Sequence, residues 1–496
     1  MERNAESISF LNTVLQDVQT AELTQQIKLT EGMPDIGRIL GAWGQVVLRG
    51  KEWQDEQAAV NGGVLVWVLY APEDGSGERC LDSWIPFQMK WDLPEEIPEG
   101  KLRMQCQLRF VDARSASPGR LVVRCGISLQ AEGYIPAEGA VSKPSDETKN
   151  VELLENTYLL RLVKEAGEKV LLLDEDLTLP DSVPQPEKLI CCRMEPRVTD
   201  IRVLADKLAF RGTGNLRIVY RSEEGGVHSW EFPAAFSQVA ELEQEYGSDA
   251  AGDLVPLVTN LETELDEEGH IRLKCGLTVQ YRIADRQKVS VVEDAYCPGR
   301  EVSLRKDVLE LPVILEQRRE TVSGEQRIPG DVNRIVDISF LPDFPREKRS
   351  DQGMELRYPG NLQVLYYGND AMLQGSSVRW EGQQKRNADA ESTLMAVPLP
   401  GETQAHMGSG QLQIQAELPV DMITTTRQKI PMVTAVEVGE NKTTDENRPT
   451  ILLRRAGENR LWDIAKGCGS TVAEIRLANN LQGEPAPGQM LLIPLH

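Results

Sequence analysis

A mainly β chain, made of three tandem antiparallel β modules and a small β-α-α-β domain at its end, is the fold class that three observations predict. Short stretches alternate apolar and polar residues at period two. The best of these stretches recur at a spacing near 150 residues. The last fifty or so residues switch to helical periodicity framed by two short apolar runs.

The repeat is anchored by "GGVLVWVLY", "GTGNLRIVY" and "YPGNLQVLY", which end at Tyr70, Tyr220 and Tyr366, 150 and then 146 residues apart. Each has the alternation of a half-buried strand. Thirty residues before each Tyr comes an apolar step, at Leu40, Ile190 and Val336. After each Tyr comes a turn-rich stretch and then a tryptophan, Trp84, Trp230 or Trp380, which predicts a hairpin carrying both aromatics. Cross-strand aromatics of this kind pack into the module core. Farther on, Cys125 and Cys275 lie 55 residues after the Tyr, with Ala416 in the corresponding run of the third copy. The stretches ending at Tyr158 and Tyr296, together with "VTAVEVGE", are read as closing the three copies.

Each module reads as a sandwich or partly open barrel, because long 3.6-period segments are scarce. Two helices are expected, "ISFLNTVLQDV" near the start and "SQVAELEQEY" after Trp230. The expected division is a first repeat with an N-terminal helix over 1–160, a second over 161–298, a third over 299–438, a linker over 439–449 and a terminal domain over 450–496. A Pro/Ser/Gly-containing stretch, 136–149, reads as an insertion or linker within the first copy.

With 496 residues the chain exceeds what one core can serve. Its net charge of −23 disfavours nucleic acid and anionic membranes as partners. No run approaches the roughly 20 apolar residues of a bilayer span, so membrane insertion is not expected. "MERNAESISFLNTVLQDV" lacks a basic region followed by an apolar core, so no secretory signal is expected either. Eight cysteines without C-x-x-C pairs suggest buried free thiols in a reduced, cytosolic protein, with no metal site. The four histidines make no H-E-x-x-H pair, and neither a G-x-S-x-G elbow nor a P-loop occurs. No catalytic residues and no cofactor are therefore expected.

In the terminal domain, Leu461, Ile464, Ala465 and Cys468 fall on one face of a short helix, with Asn459 placed to cap it. Gly469 breaks that helix. Thr471 and Glu474 stand at capping-box spacing for a second one, which presents Val472, Ile475 and Ala478. "TILLRRA" and "QMLLIPL" supply two paired strands, and Trp462 lies near the edge of this compact core. The domain's own charges sum to +1, which leaves −24 on the repeats.

Through Gly457, "LWDIA" (461–465), "ANNL" (478–481) and "PGQMLLIP" (487–494), this segment resembles the LysM family. The resemblance implies a shallow groove for polymers containing N-acetylglucosamine, such as peptidoglycan. By position, its walls are Gly457, Glu458, Asn459, Arg460 and Leu461 on one side and Leu481, Gln482, Gly483, Glu484 and Pro485 on the other. Where the family has Gly-Asp-Thr before Leu-Trp, this chain has Gly-Glu-Asn-Arg, so the extra residue and Arg460 reshape one wall.

Acidic β modules with "GNLRIVY"-type strands, ending in such a domain, resemble the SPOCS-domain proteins of spore-forming Firmicutes, of the clostridial coat-scaffold type. That resemblance implies a non-enzymatic spore coat morphogenetic scaffold in the mother-cell cytoplasm, at the forespore surface. Its partners would be the coat's basement-layer sporulation ATPase, other coat proteins and peptidoglycan. The alternative is a peptidoglycan-binding cell-wall adaptor that uses LysM as its sugar anchor.

Overall fold

Period-two alternation becomes paired strand almost everywhere in the computed structural model, which describes residues 5–54, 56–94, 97, 99–117, 119–142, 150–350, 353–387, 391–408, 410–441 and 449–495. The first block contains β1 (Ala5–Lys28), β2 (Ile36–Gln54), β3 (Gln57–Pro72), β4 (Arg79–Asp92), β5 (Lys101–Ser117) and β6 (Arg120–Ser142). Its sheets have the orders β1-β6-β5 and β2-β3-β4.

The second block contains β7 (Glu152–Leu177), β8 (Pro186–Ser222), β9 (Val227–Tyr246), β10 (Ala251–Leu265) and β11 (Ile271–Tyr296), in sheets β10-β11-β7 and β8-β9. By the 150-residue spacing, the two halves of β8 correspond to β2 and β3, with Ala205 (φ 50°) at the place of the β2–β3 turn. The third block contains β12 (Arg300–Pro329), β13 (Val332–Pro342), β14 (Arg346–Ser350), β15 (Gly353–Gly368), β16 (Leu373–Arg386), β17 (Thr393–Pro398), β18 (Glu402–Gly408) and β19 (Gln411–Asn441). There β12-β19-β17 and β13-β15-β16 repeat the order of the first block.

In every block the opening strand pairs with the closing one, so the two ends of about 140 residues of chain lie side by side. The two sheets of each block face one another across one core, giving a sandwich. Tyr70 joins Val123, Cys125 and Ile127 in the first core, Tyr220 joins Leu273 and Cys275 in the second, and Tyr366 joins Ile414 and Ala416 in the third. Burial pushes the Cys125 thiol up to about 11 and the Cys275 thiol up to about 12. The two thiols behave as small apolar core residues.

The aromatics share hairpins as expected, but only the tyrosines are equivalent. Tyr70 and Tyr220 donate hydroxyl hydrogen bonds to the carbonyls of Pro34 and Pro184, each 36 residues upstream. The tryptophans stand at unrelated registers, Trp84 opposite Leu65, Trp230 opposite Ile218 and Trp380 opposite Gly360. Trp380 is fully buried over glycine, since a Cβ on Gly324 would meet its indole nitrogen at 2.6 Å.

Both expected repeat helices are strands. Over "ISFLNTVLQDV", β1 pairs with β6, and a register shift between Thr13 and Leu15 switches the alternation. The bulge puts Ile8, Leu11 and Leu15 on buried sites, a spacing that imitates a helix. Over "SQVAELEQEY", Ala240, Leu242 and Tyr246 continue the buried face of Phe236 along β9, with Gln238 half-buried and Gln244 exposed between them. Long pairing overrides the helix-favouring Ala and Glu content.

The stretch ending at Tyr158 opens the second block and pairs with the one ending at Tyr296, with Glu152 opposite Tyr296. The expected boundary at 160 therefore falls inside β7. The expected insertion 136–149 continues β6 as far as Ser142, and 143–149 lie outside the described residues. So do residues 442–448 of the expected linker.

The three blocks pack around a pseudo-threefold centre. Leu40, Ile190 and Val336 meet in one apolar cluster with Leu69, Val219 and Leu365. Phe10, Leu162 and Leu311 from the three opening strands meet in a second, with Val141, Val289 and Ile430 from the closing strands. Beside the first cluster the blocks join through a buried polar knot. Trp43 Nε1 donates to Asp337 at 3.0 Å, and Arg193 holds the same carboxylate at 2.8 and 2.9 Å. Between the first two blocks, Arg103 and Arg282 both pair with Glu132 and Asp253, all four contacts at 2.8 Å. Burial alone would raise the Asp253 carboxyl, but these two guanidinium groups outweigh it and hold it below the usual carboxylate range.

Candidate functional site

The terminal domain begins with β20 (Ile451–Arg455) and ends with β21 (Met490–Pro494), an antiparallel pair with Leu453 opposite Leu492. Between them lie α1 (Leu461–Cys468) and α2 (Val472–Asn479). For α2 the capping box forms as read from the sequence, with Thr471 Oγ1 accepting from the Glu474 amide at 3.1 Å. Gly469 ends α1 in the left-handed region (φ 68°), which glycine enters without a Cβ penalty. Leu461, Ile464, Ala465, Ile475, Leu491 and Ile493 form the core.

The start of α1 departs from expectation. Arg460 occupies the cap position, not Asn459, and makes no side-chain capping bond; it instead reaches Asp463 at 3.3 Å. The cap comes from the opposite loop, where Glu484 accepts a hydrogen bond from the Leu461 amide at 2.6 Å. A carboxylate at a helix N-terminus satisfies an orphan N–H and complements the helix dipole.

Gly457, Glu458, Asn459 and Arg460 are exposed on one loop, and Gln482, Gly483 and Glu484 on the other. Leu481 and Pro485 are half-buried, while Leu461 belongs wholly to the core. The ten residues thus form two facing loops bridged by one charge-assisted bond. Glu484→Ala is expected to lower the stability of this domain by about 1 kcal/mol, as loss of a cap does. Faster amide exchange at the first turn of α1, with the β blocks unaffected, is the readout.

The domain is docked. Trp462 and Lys466, on one side of α1, both donate to Asp294 Oδ2 near the end of β11, at 3.0 and 2.6 Å. The Tyr296 ring meets the Trp462 ring edge-on at 4.8 Å, and its hydroxyl donates to the Ser470 carbonyl at 2.9 Å. Tyr296 thereby joins the terminal core, with Leu154 packed beside it. Sequence reading missed this surface. Its signal was "EDAY" at the end of β11, an acid and an aromatic two residues apart and so on one face of a strand.

Burial alone would raise the Asp294 carboxyl; the hydrogen bonds from Lys466 and Trp462, with the charges of Lys466 and Lys306, outweigh it and hold it below the ordinary 3.8. A depressed carboxyl stabilises docking above its unfolded value and loses that contribution as pH falls through the lower folded value. Docking is therefore expected to persist at pH 5 and to weaken only below 3.8, measured as protection of the Tyr296 region during acid titration.

Among the described residues no cluster of three or more His, Cys, Asp or Glu could hold a metal, and no helix is long and apolar enough to cross a membrane. Comparison with known families finds two matches. The family described as "SipL, SPOCS domain" matches residues 185–265, which span β8, β9 and β10. The LysM domain family matches 458–494, both helices and β21. No curated protein sequence and no solved structure matches the chain. SPOCS and LysM are binding domains without catalytic machinery, and the second is a peptidoglycan-binding module. The chain is a SPOCS- and LysM-domain protein, and the first of these domains carries a sporulation context with it.

Proposed function

We propose that the chain is a non-enzymatic spore coat morphogenetic scaffold. It acts in the mother-cell cytoplasm at the forespore surface, where its β blocks hold coat proteins and its LysM groove docks a sporulation ATPase or peptidoglycan. Each β block is a SPOCS-like unit in this reading, with divisions near 143–151, 297–299 and 442–449. The repeated strand order supports extending the SPOCS assignment from the second block to the first and third.

The observation that carries the scaffold reading is the docking of the LysM domain. Its α1 face packs on Tyr296 and Asp294, while the loops at 457–460 and 482–484 stay exposed. A binding groove held out from a platform of three joined blocks is an arrangement for bringing partners together. The Glu484 bridge and Arg460 favour a protein partner over an uncharged glycan, because both place charge in the groove.

The test is to present the full chain to an immobilised coat basement-layer ATPase and, separately, to insoluble peptidoglycan. Capture by the ATPase that is lost on Arg460→Glu supports the scaffold. Retention on peptidoglycan with none on the ATPase supports the cell-wall adaptor instead.

A further inference from the structure

Where the three blocks meet, beyond the Trp43–Arg193–Asp337 knot, they line a half-open cavity of about 860 Å³. That is within the size range of small-molecule sites. Every block contributes to its wall, with Gln45 and Gln107 from the first, Arg161 and Arg197 from the second and Pro342 and Pro398 from the third. Much of the wall is apolar, including Leu108, Met194, Val255 and Leu257.

Five arginines line this one cavity, Arg161, Arg193, Arg197, Arg318 and Arg319, and the Nε of each of the first three is buried with no hydrogen-bond partner. Buried donors are almost always satisfied, so three orphans on one wall call for an acceptor. The nearby carboxylates are mostly committed. Asp253 is held by Arg103 and Arg282, and Asp421 by Nε and one terminal nitrogen of Arg319, at 2.6 and 2.8 Å. Arg193 itself is 5% exposed and spends its two terminal nitrogens on Asp337 and Ser339. Arg197 spends its own on Glu402 and the Pro400 carbonyl.

Arg161 has no ion pair or hydrogen bond among the described residues, and it faces Arg286 across the β7–β11 register. Burial and the Arg286 charge act against its own charge and outweigh the support of the Asp285 carboxylate. Glu195 is the lining carboxylate without an ion pair among the described residues, and its charge supports that of Arg193. In a chain of net charge −23, a cavity wall with surplus guanidinium is the reverse of the protein's surface.

We propose that this central cavity binds a small organic anion, a carboxylate or phosphate group on an apolar body, with the charged group met by Arg161, Arg193 and Arg197 and the body packed on the apolar wall. Because the ligand would touch all three blocks, its binding would also hold them together.

The test uses the full chain with sodium benzoate and phenyl phosphate as probes and uncharged benzamide as control, followed by calorimetry and by the unfolding midpoint at fixed ionic strength. The expected result is saturable binding of at least one anion with a raised midpoint and no effect of benzamide. Arg161→Met, which disturbs no described ion pair, is expected to weaken binding at least about tenfold while unfolding at the wild-type midpoint without ligand. Arg197→Met serves as a second variant should the first fail to fold. Equal binding of benzamide, undiminished anion binding in a folded variant, or no saturable binding of either anion overturns the proposal.

Discussion

Asp337→Ala is expected to destabilise the protein by about 3–5 kcal/mol, as loss of one partner of a buried ion pair does. The carboxylate is 4% exposed and accepts from groups in all three blocks: Trp43 of the first, Arg193 of the second and Ser339 of its own. Burial opposes the Arg193 charge, but Asp337 outweighs it and holds the guanidinium above its usual value. Removing the acid leaves a buried cation with only the Ser339 hydroxyl as a side-chain partner. It also leaves the Trp43 indole N–H without an acceptor, a further cost of about 1–3 kcal/mol if that group stays buried.

A urea titration should show the lower midpoint. The paired change Arg193→Met with Asp337→Leu should recover much of the loss, since two apolar groups of similar volume can replace a buried ion pair. An unchanged midpoint for Asp337→Ala would mean that the three blocks do not depend on this knot. Trp43→Phe should cost less, about 1 kcal/mol, because Asp337 keeps Arg193.

These residues also mark how far the sequence could be read. The sandwich strands were legible because alternation is a local signal: Tyr70, Tyr220 and Tyr366 each sit on the inward side of a hairpin that the turn residues announce. The LysM helices were legible for the same reason, since Thr471 and Glu474 cap within one turn. The knot was not. Trp43, Arg193 and Ser339 each occupy the third position after Leu40, Ile190 and Val336, where the blocks touch one another; the repeat holds the backbone constant while the side chains differ to complement each other. A comparison that looks for sameness passes over positions whose role is to be unlike.

The misread helices have a second cause. In β1 the bulge near Thr13 breaks period two just where Leu11 and Leu15 suggest a turn of helix, and only the pairing with β6 decides the matter. The tryptophans misled in the opposite way. Similar spacing from the tyrosines made Trp84, Trp230 and Trp380 look equivalent, although hairpins with differing loops put them opposite different partners. The residues named for the candidate groove lie before α1, at its first residue, and on the loop after α2. The bond between Glu484 and the Leu461 amide joins residues 23 apart, which local spacing cannot announce.

Trp462→Ala is expected to unfold the LysM domain while the three β blocks keep their structure. Truncating a buried tryptophan costs about 3–5 kcal/mol through lost transfer energy and the cavity left behind. The edge-on contact with Tyr296 adds about 0.5–1.5 kcal/mol. A core of fewer than fifty residues has little stability in reserve, so a loss of this size approaches the whole of it. The β blocks lose only the cover over Tyr296 and Leu154, because their own cores contain no LysM residue. Amide exchange resolved by segment separates the cases: protection should vanish over 451–494 and persist in β3, β6 and β11. Asp294→Ala provides the contrast, since it removes the acceptor for Trp462 and Lys466 but leaves the indole packed on its own helix pair. That variant should release the domain from β11 with α1 and α2 still protected. If Trp462→Ala leaves 451–494 protected, Trp462 is only a docking residue, and the domain's stability rests on Leu461, Ile464, Ile475 and Leu491 alone.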